Sequence, residues 1–170
     1  MPAIVFSQTH CGKGEVDYFS CQIVGNEKVV SICGSVADSD NNADSWLQYR
    51  FGRIGKIELK YPAEKKNSVS KFEGNWFNRY NVVDLRFING QAIYNVALND
   101  RYGGDGEAPA RKSASGEVNV EVGKLKPISL ACKHANARKY YRLFTDLAAE
   151  LRQRNGATDI VYEFHKNASK

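Results

Sequence analysis

Apolar side chains at every second position, flanking short glycine-containing turns, commit this chain to antiparallel β-structure. Phe19, Cys21 and Ile23 alternate with polar neighbours, and Val30 and Ile32 resume the pattern beyond Gly25-Asn26. With Gly25-Asn26 as the loop, Val24 pairs with Glu27, Cys21 with Val30 and Phe19 with Ile32, so these apolar side chains share one face. The same test at Asn89-Gly90, a type I′ signature, pairs Ile88 with Gln91 and sets Val83, Leu85 and Phe87 opposite Val96, Tyr94 and Ala92. Asp84, Arg86 and Asn95 then point the other way. A third hairpin joins Trp46–Phe51 to Lys56–Tyr61 through Gly52-Arg53-Ile54-Gly55. Leu47, Tyr49 and Phe51 alternate on its first strand, Ile57, Leu59 and Tyr61 on its second, and Pro62 ends it. Val118, Val120 and Val122, followed by Ile128, Leu130 and Cys132, add one or two strands, with Pro127 tolerated only at an edge or a strand start.

Towards the end the period changes. Tyr140, Leu143, Phe144, Leu147, Ala148 and Leu151 recur at steps of three and four, with Arg138, Lys139, Arg142, Glu150 and Arg152 on the other side. This predicts an amphipathic helix over 137–154, with Asn136 as N-cap and Gly156 as the glycine past its end. Ile160, Tyr162 and Phe164 alternate in a last strand. The expected fold is therefore mainly β, an antiparallel sheet arranged as a sandwich or barrel of about eight or nine strands, with one C-terminal helix. At 170 residues the chain suits a single domain spanning 1–170. Two segments lack periodicity and are expected as flexible loops, the Lys- and Ser-rich stretch 62–74 and the Gly-rich stretch 99–116.

Residues 1–100 carry 11 Lys and Arg against 11 Asp and Glu, whereas 101–170 carry 13 against 8, so the whole basic surplus of +5 lies in the last 70 residues. Such a surplus either attracts anionic partners or keeps a solvated face soluble. No apolar run is long enough to span a bilayer as a helix. Met1–Thr9 lacks the basic start and apolar stretch of a signal peptide, so an exported chain would begin here after its signal is removed, with Met1 a start codon ahead of Pro2 or Ala3.

Four cysteines, Cys11, Cys21, Cys33 and Cys132, make an even set that fits two disulfides in an oxidising compartment. The competing reading is four reduced, buried thiols in a cytoplasmic protein. In the first hairpin's register Cys33 falls across from Tyr18, on the face opposite Cys21, which disfavours a Cys21–Cys33 bridge. The preferred pairing is Cys11–Cys21 with Cys33–Cys132. Cys11–Cys33 with Cys21–Cys132 is nearly as good.

Little here points to chemistry. His10-Cys11 and Cys132-Lys133-His134 offer two sulfurs and two imidazoles, but in a spacing unlike common zinc sites, and nothing activates a thiol nucleophile. Asp38, Asp40, Asn42 and Asp44 match the first ligand positions of a calcium loop, yet Ala43 and Tyr49 stand where it needs Gly and Glu. Trp46, Trp76, Phe77 and Tyr80 could stack on bases, although alternating aromatics more often form core or cross-strand pairs. The chain has no phosphate-binding loop, nucleophile elbow or dinucleotide fingerprint. No catalytic residue, metal or cofactor is expected.

At Phe19-Ser-Cys-Gln-Ile, Val29-Val-Ser-Ile-Cys-Gly-Ser and Trp46-Leu-Gln-Tyr-Arg-Phe-Gly, followed by Lys56-Ile-Glu-Leu-Lys-Tyr-Pro, the chain resembles uncharacterised exported proteins of proteobacteria. The resemblance covers about residues 15–100, including Leu85-Arg-Phe-Ile-Asn-Gly, and leaves the C-terminal helix unplaced. It implies export to the periplasm or beyond, and a disulfide-bonded β-rich fold. The expected function is a non-catalytic exported binding protein, such as an inhibitor or immunity protein, whose partner is another protein. Its expected contacts are Arg101, Tyr102, Arg111 and Lys112 in one loop and Lys65 and Lys66 in the other. The alternatives are a single-stranded nucleic-acid-binding module using the basic last third, and a hydrolase whose site the sequence does not expose.

Overall fold

The alternating segments among the described residues take their places in one continuous sheet. The computed structural model describes residues 8–35, 45–77, 82–99, 115–136, 139–143, 147 and 152–153. The strands are β1 (Val16–Ile23), β2 (Lys28–Gly34), β3 (Leu47–Arg53), β4 (Lys56–Tyr61), β5 (Phe72–Phe77), β6 (Val82–Asn89), β7 (Ala92–Asn99), β8 (Ser115–Val122), β9 (Ile128–Asn136) and the two-residue β10 (Arg152–Gln153). Their order is β10-β5-β6-β7-β8-β9-β1-β2-β3-β4, antiparallel throughout except for β10, which adds to β5 in parallel. The fold is therefore mainly β. Among the described residues no helix is long and apolar enough to cross a membrane.

Chain order and spatial order part where β10 lies beside β5 and, more consequentially, at the seam between β9 and β1. β1 pairs with β9, joining the early strands β1–β4 to the later strands β5–β9. The sheet then doubles over so that its two halves share one core. Tyr49 and Tyr61, from β3 and β4, meet Phe87 of β6 at ring distances of 4.9 and 4.6 Å. Phe72 of β5 and Tyr94 of β7 close the same cluster. Phe19, Cys21, Ile23, Val30 and Ile32 are all buried, as a single shared face requires.

The first hairpin keeps its expected register, with Cys21 opposite Val30 and Phe19 opposite Ile32. A bulge between Asp17 and Phe19 then sets Cys33 opposite Asp17 rather than Tyr18. In the β6–β7 hairpin the register differs from expectation by two residues. Asn89 pairs with Ala92 and Phe87 with Tyr94, so the loop is Gly90-Gln91. Gly90 has a φ of 63° at the first central position, the place a type II′ turn reserves for glycine. A two-residue shift preserves the face of every side chain, and it brings Phe87 and Tyr94 into a stack 4.7 Å apart. In the β3–β4 hairpin Arg53 pairs with Lys56, leaving only Ile54-Gly55 as the loop, with a bulge beside Gly52.

The segment expected as a loop over 62–74 ends at Lys71, because Phe72, Glu73 and Gly74 already belong to β5. Asn99 and Ser115-Gly116 likewise belong to β7 and β8, and residues 100–114 lie outside the described part. The helix expected over 137–154 is not supported. Arg152 and Gln153 pair as a strand with Glu73 and Gly74, because the open edge of β5 offers them backbone partners. Tyr140–Arg142 forms a 3-10 turn, and Tyr140, Leu143 and Leu147, from the expected apolar stripe, are buried. The rest of that segment, and the strand expected around 160–164, lie outside the described residues.

Candidate contact site

The outer face of β1–β3 is polar by alternation, yet it is buried. Ser20 and Ser31 have no exposed surface, and Gln48 and Arg50 are 1% and 7% exposed. Their cover is the N-terminal arm, residues 8–15. Buried polar groups need partners, and the arm supplies partners to Ser20, Ser31 and Arg50. Ser20 donates to Asp17 at 2.6 Å and lies 2.9 Å from the hydroxyls of Thr9 and Ser31. His10 Nε2 lies 3.1 and 3.0 Å from the carbonyl oxygens of Val29 and Gly52, which only accept, so this nitrogen carries the proton.

Cys11 of the arm is bonded to Cys33 of β2, and Cys21 of β1 to Cys132 of β9. The preferred pairing of Cys11 with Cys21 and Cys33 with Cys132 is thus replaced by its alternative. Facing decides it. Cys33 sits on the arm side of the sheet, whereas Cys21 sits on the core side beside β9, where Cys132 pairs across from Ile23.

At the arm's end, Arg50 donates from Nη1 to the His10 carbonyl at 2.9 Å and to Glu15 Oε2 at 2.5 Å, and from Nη2 to Glu15 Oε1 and Gln48. Lys65 adds a second cation to Glu15 at 3.0 Å, and the Gly12 N–H donates at 2.7 Å. Burial alone would raise the Glu15 pKa. The Arg50 hydrogen bonds, the Gly12 N–H and Lys65 outweigh it and bring the carboxyl from the ordinary 4.5 down to about 2.

Lys65 also places its ammonium 3.9 Å from the centre of the Trp46 ring, with the Arg50 guanidinium 5.7 Å away. The loop that presents Lys65 and Lys66 is held to the sheet. Gln48 Nε2 donates to the carbonyls of Pro62 and Ala63, Leu47 N–H donates to Ser68 Oγ, and Ser68 and Val69 are buried. Trp46 and Lys65 therefore form a ledge beside the arm, at the end of the β3–β4 hairpin away from its tip, with the exposed Lys66 next in the chain.

Of the expected contact residues, Lys65 stands in this ledge and Lys66, its exposed neighbour, beside it, while Arg101, Tyr102, Arg111 and Lys112 lie outside the described residues. So do the Asp38–Asp44 segment, Tyr80 and the side chains of Trp76, Phe77 and His134. Glu15 and Arg50 were not singled out by sequence. The one available signal was a charged residue at the polar parity of an otherwise buried strand, with no indication that the arm would meet it. Searches against protein-family models, curated proteins and solved structures find no match to this chain.

Proposed function

We propose that this chain is an exported, non-catalytic binding protein that works by protein–protein contact, in the manner of an inhibitor or immunity protein. The observation that carries this reading is the pre-ordered ledge of Trp46 and Lys65, with the exposed Lys66 beside it. Tryptophan and arginine dominate the energetics of protein interfaces. Here a half-buried Trp46 backed by Arg50 sits beside a loop already fixed by four hydrogen bonds, from Gln48, Leu47 and Lys65. Little conformational freedom is left to lose on binding, which favours affinity. Two disulfides, one closing a separation of 111 residues, support the export reading, since such bonds persist in oxidising compartments. The segment between β7 and β8 is proposed as the second contact segment, through Arg101, Tyr102, Arg111 and Lys112.

The test is capture from periplasmic extract on the immobilised full chain, wild type against Trp46→Ala combined with Lys66→Glu. A protein retained by the wild type and lost from the variant is expected, with both chains equally oxidised and folded. Equal retention by the two, or no protein retained by the wild type, overturns the assignment.

A further inference from the structure

The strand order places four hairpins side by side, β6–β7, β8–β9, β1–β2 and β3–β4, with all four tips on the same rim of the sheet. Lys28 pairs with Arg53, which sets the β1–β2 and β3–β4 tips next to one another. Ala92 pairs with Val122, which does the same for β6–β7 and β8–β9. The Val24 N–H donates to the Ala131 carbonyl at 2.8 Å and joins the two pairs.

This rim holds every exposed large hydrophobic side chain among the described residues. Val24 lies in the first tip, Ile54 and Ile57 in the second, Ile88 in the third, and Leu125 and Ile128 in the fourth, with exposures from 45% at Ile57 to 70% at Leu125. Scattered single exposed hydrophobics are normal on a soluble protein; their confinement to one rim is not. Cations stand among them. Lys124 and Lys126 flank Leu125, and Lys28, Arg53 and Lys56 surround Ile54 and Ile57. The carboxylates of the rim are Glu27, Glu58 and Glu121, of which Glu58 is held by Lys28 at 2.7 Å and Glu27 by Arg53 at 3.7 Å. Lys56, Lys124 and Lys126 make no salt bridge among the described residues.

We propose that this rim docks on an anionic lipid surface, the aliphatic tips entering the interface and the lysines meeting headgroup phosphates. Composition separates a lipid surface from a protein partner. Protein hot spots are built from Trp, Tyr and Arg, with Lys, Leu and Val under-represented. The rim is aliphatic and lysine-rich, the pattern of a surface that pairs shallow insertion with attraction to anionic lipid. The proposal goes beyond the protein-contact reading and uses the opposite end of the β3–β4 hairpin.

The test is co-sedimentation of the full oxidised chain with vesicles of phosphatidylcholine alone and of equimolar phosphatidylcholine and phosphatidylglycerol. Binding to the anionic vesicles at low salt, and not to the neutral ones, is expected. Lys124→Glu with Lys126→Glu should weaken the partition by about tenfold or more, and Leu125→Ser with Ile54→Ser by a similar factor. Lys65→Glu with Lys66→Glu makes the same change in net charge at the other end, and it should leave vesicle binding intact while partner capture falls. No sedimentation with anionic vesicles, equal sedimentation with both kinds, or equal loss in the Lys65 and Lys66 variant overturns the proposal. So does a dimer that Leu125→Ser dissolves in a chain that ignores vesicles.

Discussion

Glu15 shows how much of this fold hangs on one side chain that alternation never flagged. Its carboxylate is 14% exposed and faces both Arg50, itself buried, and Lys65. In the fold the carboxyl stays ionised down to about 2, whereas the unfolded chain takes up the proton near the ordinary 4.5. Acid therefore favours the unfolded chain. The contribution is complete above the ordinary value and is lost as pH falls through the lower one, a loss of about 3 kcal/mol. Urea unfolding of the wild type across that acid range should show this slope, and Glu15→Gln should lack it. At neutral pH the variant should be less stable by about 3 kcal/mol or more, since Arg50 keeps its buried charge without a counter-ion. Parallel pH profiles for the two chains would contradict this account. The sequence made Arg50 legible as a polar-face residue, but the pairing arises between segments 35 residues apart, and no local pattern encodes it.

At the level of elements, the hairpins were legible and their ends were not. Alternation assigns faces, and faces survive any shift by two, so Phe87 and Tyr94 share a wall although the loop falls at Gly90-Gln91, one residue beyond the expected Asn89-Gly90. What decides the true ends is backbone detail. In the β3–β4 hairpin Gly52 has a φ of 148°, and a Cβ there would lie 2.4 Å from the Lys56 carbonyl oxygen and 2.7 Å from the Glu58 nitrogen. Its neighbour Gly55 has a φ of 81° but open space around it. Gly52→Ala should therefore cost about 2–4 kcal/mol, as backbone strain and a steric clash add. Gly55→Ala should cost only about 1–2 kcal/mol, from φ alone. Equilibrium unfolding of the two variants checks the ranking, and equal losses would remove the bulge from its role. The helix expected over 137–154 is not supported at its far end, for a related reason. Its apolar stripe is real at Tyr140, Leu143 and Leu147, but Arg152-Gln153 meets an open strand edge, and ladder pairing there replaces helical bonds.

For the whole molecule, the constraint that matters is the seam between β1 and β9, which alternation does not encode because its partners lie more than a hundred residues apart, and to which only the alternative cysteine pairing Cys21–Cys132 points. The halves β1–β4 and β5–β9 share a core through Phe87, which contacts Tyr49 and Tyr61 on one side and Phe72 and Tyr94 on the other. Phe87→Ala would leave a cavity bordered by both halves and should cost about 3–5 kcal/mol. Among the described strands the β1–β9 ladder is the one backbone pairing that joins the halves, and Cys21–Cys132 clamps that ladder. The two disulfides should therefore fail differently. Removing Cys11–Cys33, which spans 22 residues, frees the arm from β2 and should cost about 3 kcal/mol in the chain-entropy picture. Removing Cys21–Cys132, which spans 111, should cost nearer 5 kcal/mol and release the seam itself. Paired substitutions to Ala, followed by hydrogen exchange of the folded variants, separate these effects. Loss of Cys21–Cys132 should deprotect the amides of β1 and β9 together while the β2–β3 ladder stays closed, because local opening follows the least secured contacts. Loss of Cys11–Cys33 should instead expose segment 8–15 and the outer face of β2 and leave the seam protected. If the seam keeps its protection without its own disulfide, the shared aromatic core alone unites the halves, and the clamp is dispensable.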